Sequence, residues 1–222
     1  MNNSKLILVA LFFSFQACEE SIKFEVPQPP GADNLNSLPK SLWGTYFSNA
    51  DSTFLTIDAQ RIVEWIDLEN RTVLDSLGME IDSTLVTYSI SDTIQLTEGM
   101  FDIRLKFLPM DSVIIFYSYR DTVFEISEKQ ILRKYRGYYF LNYERKEKNW
   151  NVRRLTLIKG ELSFSKVRIT KDISELRQIT GVEELKTDSG TVVGYRLNPT
   201  RRELKELMKH SFSETATYQK LK

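Results

Sequence analysis

Apolar and charged positions alternate without a break from Phe101 to Phe107, reading Phe-Asp-Ile-Arg-Leu-Lys-Phe, the period of a β-strand with one wet face. Residues 113–119 are β-branched and aromatic at both parities, which predicts a strand covered on both sides. The same criteria predict strands over 44–48, 53–58, 62–66, 85–90, 93–97 and 122–126, and then over 138–143, 153–158, 162–164 and 192–197. Lys159-Gly160 suits a tight hairpin turn between two of these, and residues 212–221 supply a last strand. Two stretches change period. Asp172 caps a helix over 173–180, with Glu175 at the box position, Gly181 at the stop and Ile173, Leu176 and Ile179 on one face. After Pro199, Thr200 and Glu203 form a second capping box, followed by the apolar stripe Leu204, Leu207 and Met208. The fold class is therefore mainly β: an antiparallel meander forming a barrel or a sandwich, with two short helices in the C-terminal half.

The meander also repeats. Gly44-Thr45-Tyr46-Phe47 parallels Gly137-Tyr138-Tyr139-Phe140, and Leu55-Thr56-Ile57 with Ile62 parallels Leu155-Thr156-Leu157 with Leu162. The spacing differs by seven residues, which the loop 144–149 absorbs. Such self-similarity suggests two related β modules, 41–128 and 129–222. A glycine followed by aromatics at the start of a meander is similar to the first strand of lipocalin-like barrels. That resemblance covers only those few residues; it implies a carrier that holds a small apolar ligand.

The N-terminal 17 residues read as a secretory signal: Met-Asn-Asn-Ser-Lys, an uncharged stretch from Leu6 to Phe15, then Gln16-Ala17. The stretch is shorter than the roughly 20 apolar residues that span a bilayer. Cys18, the only cysteine, comes next. Ala17-Cys18 resembles the end of a bacterial lipobox, and Phe15, where an aliphatic residue is usual, resembles the looser, aromatic-rich lipoboxes of Bacteroidetes-type lipoproteins. The resemblance implies that Cys18 is acylated, that N-terminal acyl chains hold the protein to the outer membrane, and that it faces the periplasm or the cell surface. Glu19-Glu20 resembles the acidic signal that sends some of these lipoproteins to the surface. Pro27, Pro29, Pro30 and Pro39, with Gly31, predict an extended tether over 18–40 without a core of its own.

Thirty basic and thirty acidic residues cancel, but only in sum. Residues 18–128 carry 7 basic and 19 acidic residues, a net of −12, whereas 129–222 carry 22 basic and 11 acidic, a net of +11. Either the oppositely charged segments neutralise one another within the fold, or one faces a charged partner. The densest basic stretch, 133–154, interleaves cations with aromatics, which suits stacking on sugar rings. The candidate contacts are Arg133, Arg136, Tyr139, Arg145, Lys146, Lys148, Trp150, Arg153 and Arg154. Nucleic acid would fit such a surface, but export excludes it. An anionic glycan, lipopolysaccharide or an envelope protein remains.

Catalytic signals are sparse. One cysteine and one histidine exclude an intrachain disulfide and a Cys/His-clustered metal centre. The chain has no G-x-S-x-G, H-E-x-x-H, P-loop or G-x-G-x-x-G motif, and no cofactor or metal is expected. His210 falls at the end of a predicted helix, where a cation suits the dipole. Carboxylate pairs such as Glu64 with Asp67, or Asp111 with Asp121, are the only acid chemistry on offer. The leading expectation is a lipid-anchored, non-catalytic binding or assembly module. The alternative is a lipocalin-like carrier, and the third reading is a carboxylate-dependent hydrolase.

Overall fold

Each strand expected among the described residues forms, and one sheet gathers them all. The computed structural model describes residues 21–73, 93–98, 100–108, 112–145, 149–169 and 172–221. The strand expected over 85–90, and the candidate residues Cys18, Lys146 and Lys148, lie outside these. The strands are β1 (Ser21–Phe24), β2 (Gly44–Ser48), β3 (Thr53–Ile57), β4 (Arg61–Val73), β5 (Thr93–Glu98), β6 (Phe101–Leu108) and β7 (Ser112–Glu125). They continue as β8 (Gln130–Tyr135), β9 (Tyr138–Glu144), β10 (Trp150–Ile158), β11 (Glu161–Val167), β12 (Val182–Lys186), β13 (Val192–Leu197) and β14 (Phe212–Lys220). Helices α1 (Ile173–Ile179) and α2 (Arg201–His210) lie in the C-terminal half.

Hydrogen bonding orders twelve strands as β12-β13-β1-β10-β11-β14-β2-β3-β4-β7-β6-β5, while β9 pairs with β10 and β8 with β9 off that path. The ladders are antiparallel except β1 on β13, which is parallel, so the sheet is mixed. It rolls on itself into a partly open barrel. Tyr46, Leu55, Ile57, Ile62, Phe124, Leu132, Leu141, Leu155, Leu162, Phe164 and Tyr218 come from nine different strands and share one interior. Each buried aliphatic or aromatic side chain there contributes roughly 1.5–3 kcal/mol. Strands β7 and β8 are joined by a tight turn where Ser127 and Gln130 exchange backbone hydrogen bonds. Leu35, whose amide donates to the Leu132 carbonyl, and Leu38, whose amide donates to the Ala59 carbonyl in the β3–β4 turn, pack into the same interior. The division between the acidic and basic segments falls in that turn, so both segments line the one interior. A second core lies on the outer face of β9–β11, where Phe140, Trp150, Val152 and Val167 pack against Phe24, Leu176, Leu197, Leu204 and Leu207.

The repeat read in the sequence is a repeat in register. Tyr46 pairs with Leu55 across β2–β3, and Tyr139 pairs with Leu155 across β9–β10. Ile57 pairs with Ile62 across β3–β4, and Leu157 pairs with Leu162 across β10–β11. Tyr46, Leu55 and Ile62 and their counterparts Tyr139, Leu155 and Leu162 are all buried in the same interior. Two three-stranded meanders with matching inward positions thus form opposite parts of the roll.

Several expectations need correction. Residues 21–40 do not stand away as a tether but pack on the barrel. Prolines supply carbonyl acceptors and no donors, and guanidinium and amide groups satisfy them. Arg133 Nη1 donates to the carbonyls of Pro27 at 2.6 Å and Pro29 at 2.9 Å, and its Nε donates to Asn34 Oδ1 at 2.9 Å. Asn142 exchanges hydrogen bonds with the Gln28 backbone, and Arg201 donates to the carbonyls of Pro30 and Gly31. The stretches expected as separate strands over 113–119 and 122–126 are one strand, because the β4 ladder runs unbroken through Arg120 and Asp121. Strands β1, β8 and β12 escaped the sequence criteria: charged residues obscure their alternation, and β12 takes its conformation from pairing at the sheet edge. Helix α1 ends at Ile179 and not Thr180, and the Asp172 side chain accepts from the Ser174 amide. The Thr200–Glu203 capping box of α2 is present in full.

Candidate functional site

A cavity of about 760 Å³ lies inside the roll, lined by β3, β4, β7, β8, β9, β10, β11 and β14 and by the β2–β3 turn. Its floor is apolar, with Leu55, Val123, Phe164 and Ala216 lying above the filled core. Its rim is ionic, and strand period explains how. Along β4 the inward positions run Ile62, then Glu64; along β10 they run Leu155, then Arg153, so charge follows apolar residue as each strand climbs out of the core.

The repeat locates where the two meanders part company. Two residues before the buried Leu55 stands Thr53, and two before its counterpart Leu155 stands Arg153. Two residues after the buried Ile62 stands Glu64, and two after Leu162 stands Phe164. All four line the cavity. The scaffold repeats in the core and diverges in chemistry at the rim.

Charge divides across the cavity. Glu64 on β4 and Asp121 on β7 are directly opposite one another in the ladder, with Asp51 on the adjacent turn. Lys129 just before β8, Arg145 after β9 and Arg153 on β10 line the other side, where Glu144 is the single acid among the lining residues. Among the described residues none of these seven forms an ion pair with a side chain. A tyrosine stands at each side. The Tyr218 hydroxyl donates to Glu64 Oε1 at 2.6 Å, and burial together with that carboxylate holds its pKa well above the ordinary phenol value. The Tyr143 hydroxyl is buried and has no hydrogen-bond partner among the described residues. Burial pushes its pKa up to about 12; Arg153 and Arg145 oppose that shift and Asp121 adds to it, so both walls act on this one oxygen. The Arg153 guanidinium lies 6.0 Å from the Tyr143 ring centroid.

The basic stretch expected as one contact surface is taken apart by the fold. Arg145 and Arg153 reach the cavity. Arg133 is spent on the proline carbonyls. Arg154 donates to Ser165 Oγ at 2.9 Å and to the Met208 carbonyl at the end of α2 at 3.0 Å, between the rings of Tyr138 and Phe212. There it satisfies one of the orphan carbonyls of a helix C-terminus. Tyr139 and Trp150 are core side chains, 8% and 9% exposed, with no free ring face for a sugar. Arg136 sits in the β8–β9 turn with φ of 52°, over Tyr135. The pairing of Glu64 with Asp67 does not occur: a spacing of three along a strand puts them on opposite faces, and Asp67 bonds Arg120 at 2.7 Å on the outside. Among the described residues Glu64 with Asp121 is a pair the fold makes; Asp111, expected beside Asp121, lies outside them. Among the described residues no group of three or more His, Cys, Asp or Glu is placed to hold a metal, and no helix is long and apolar enough to cross a membrane.

Comparison with protein-family models, with curated proteins and with solved structures gives no match.

Proposed function

We propose that the chain is a lipid-anchored, non-catalytic binding protein of the cell envelope whose small-molecule ligand occupies the charge-divided cavity. The supporting observation is the ring of seven ionisable side chains around a space of about 760 Å³, none of them in an ion pair among the described residues. Small-molecule sites run to roughly 300–1,000 Å³ with a few convergent polar groups over an apolar floor, which is this arrangement. The lining favours an occupant with charged groups over the wholly apolar one that a lipocalin-like carrier would hold.

The test uses the full-length chain with Cys18→Ala, which carries no acyl group, and the dye 8-anilinonaphthalene-1-sulfonate, an aromatic anion. One equivalent should bind with a rise in fluorescence. Ala216→Trp, which fills the floor, and Arg153→Glu, which reverses the rim, should each weaken binding at least tenfold while leaving the melting temperature near that of the parent. Binding unaffected by both substitutions overturns the reading.

One observation supports a second reading. Two carboxylates directly opposite on adjacent strands, Glu64 and Asp121, resemble the acid pairs of glycoside hydrolases, which lie about 5–10 Å apart. Reducing ends released from a glycan pool by the parent chain but not by Glu64→Gln would move the protein to that class.

A further inference from the structure

Resting on the cavity as the ligand site, we propose that its occupant is a short peptide with both termini free, its ammonium held by Glu64 and Asp121 and its carboxylate by Arg145 and Arg153. The division of charge carries the argument. A cavity meant for an anion needs only the basic side, and one meant for a cation only the acidic side. Here the two sit on facing parts of one space, and both act on the same buried Tyr143 hydroxyl.

Each side is also incomplete as it stands. Glu64 and Asp121 face one another across the β4–β7 ladder, a placement that like charges disfavour, and no described cation lies within ion-pair distance of either. An ammonium offers three donors to two carboxylates, while Tyr218 already occupies one Glu64 oxygen. On the other side, Arg145 and Arg153 have no carboxylate partner among the described residues, and a guanidinium matches a carboxylate through two parallel hydrogen bonds. Tyr143 and Asn151 also line the cavity, and the Asn151 side chain is suited to a peptide backbone. The floor of Leu55, Val123, Phe164 and Ala216 would take side chains. A volume of about 760 Å³ exceeds what a free amino acid fills, which favours a peptide of a few residues.

The experiment is displacement of 8-anilinonaphthalene-1-sulfonate from the Cys18→Ala chain by three pools of tripeptides: termini free, N-acetylated, and C-amidated. Displacement by the free pool, weakened at least tenfold by either cap, is the expected result. Asp121→Asn should weaken the free pool about tenfold and leave the N-acetylated pool unchanged, since that pool brings no ammonium to the acid side. Equal displacement by all three pools, or by none, overturns the inference. Dye binding that remains sensitive to Ala216→Trp would then leave the cavity as a ligand site of a different class, so the two claims fail separately.

Discussion

Replacing Asp121 by Asn should make this protein more stable, because the carboxylate faces another across the cavity wall. Asp121 and Glu64 are direct cross-strand partners on the cavity face of β4 and β7. Like charges so placed cost roughly 0.2–1 kcal/mol. Coulomb's law agrees: two unit charges about 6 Å apart in a water-like medium repel by about 0.7 kcal/mol. The amide keeps the volume and removes the charge. The Tyr218–Glu64 hydrogen bond is untouched, and the attraction lost toward Arg145 and Arg153 is the smaller effect because those cations lie across a wet cavity. For a chain of this size about 1 kcal/mol moves the melting temperature by about 2–4 °C, so Asp121→Asn should melt roughly 1–3 °C higher at low salt. In about 1 M salt, where the screening length is near 3 Å, more than half of that gain should vanish. Scanning calorimetry of both chains at both salt concentrations measures it. The substitution should also lower the pKa of Tyr119, which burial and then Asp121 hold up. A lower melting temperature for the variant, or a gain that salt does not diminish, would refute the argument. A stabilising change that also weakens ligand is the signature of charge retained for binding at a cost to the fold.

Three further outcomes follow from the same structure. Arg133→Ala should free the proline segment by removing three hydrogen bonds, costing about 2–3 kcal/mol and opening residues 25–36 to limited proteolysis; Arg133→Lys, which lacks the planar fork, should restore little. Alkaline stability should report the two cavity tyrosines. Their folded pKa values lie above the unfolded value near 10, so their contribution is complete below about pH 10. It is lost as pH rises through the folded values, at a slope of up to about 1.4 kcal/mol per unit for each group, and titration at 295 nm should show two of the ten tyrosines ionising only near or beyond pH 12. Cys18→Ala should move the protein from the membrane fraction to the soluble one without altering its far-ultraviolet circular dichroism; a variant that still sediments with membranes would remove the proposed anchor.

Most strand positions and the repeat between the two meanders were legible in the sequence, because a two-residue period over apolar residues leaves little freedom; the register came from the structure. The Gly-aromatic match set Tyr139 parallel to Tyr46, and the structure shows both to be core, Tyr139 therefore not contact surface. What the sequence withheld was distance across the roll. Glu64 and Asp121 were each visible as carboxylates, yet nothing local says that a long excursion of chain returns to set one opposite the other. The split between an acidic and a basic segment was plain from counting charges; only the rolled sheet turns it into two sides of one cavity. The proline segment misled for a related reason. Its composition denies it a core of its own, but its free carbonyls are what Arg133, Asn142 and Arg201 bind, and those partners are more than a hundred residues away.

The most direct test of the account is a map of backbone amide shifts of the labelled Cys18→Ala chain as the free-termini tripeptide pool is added. The cavity reading predicts saturable shifts clustered at residues 51–55, 64, 121–123, 143–145, 151–153 and 215–218, with the β8–β9 turn at Arg136 unmoved. Shifts centred instead on Arg136, or on the outer Phe54–Trp65–Arg120 stack with the cavity silent, would contradict it.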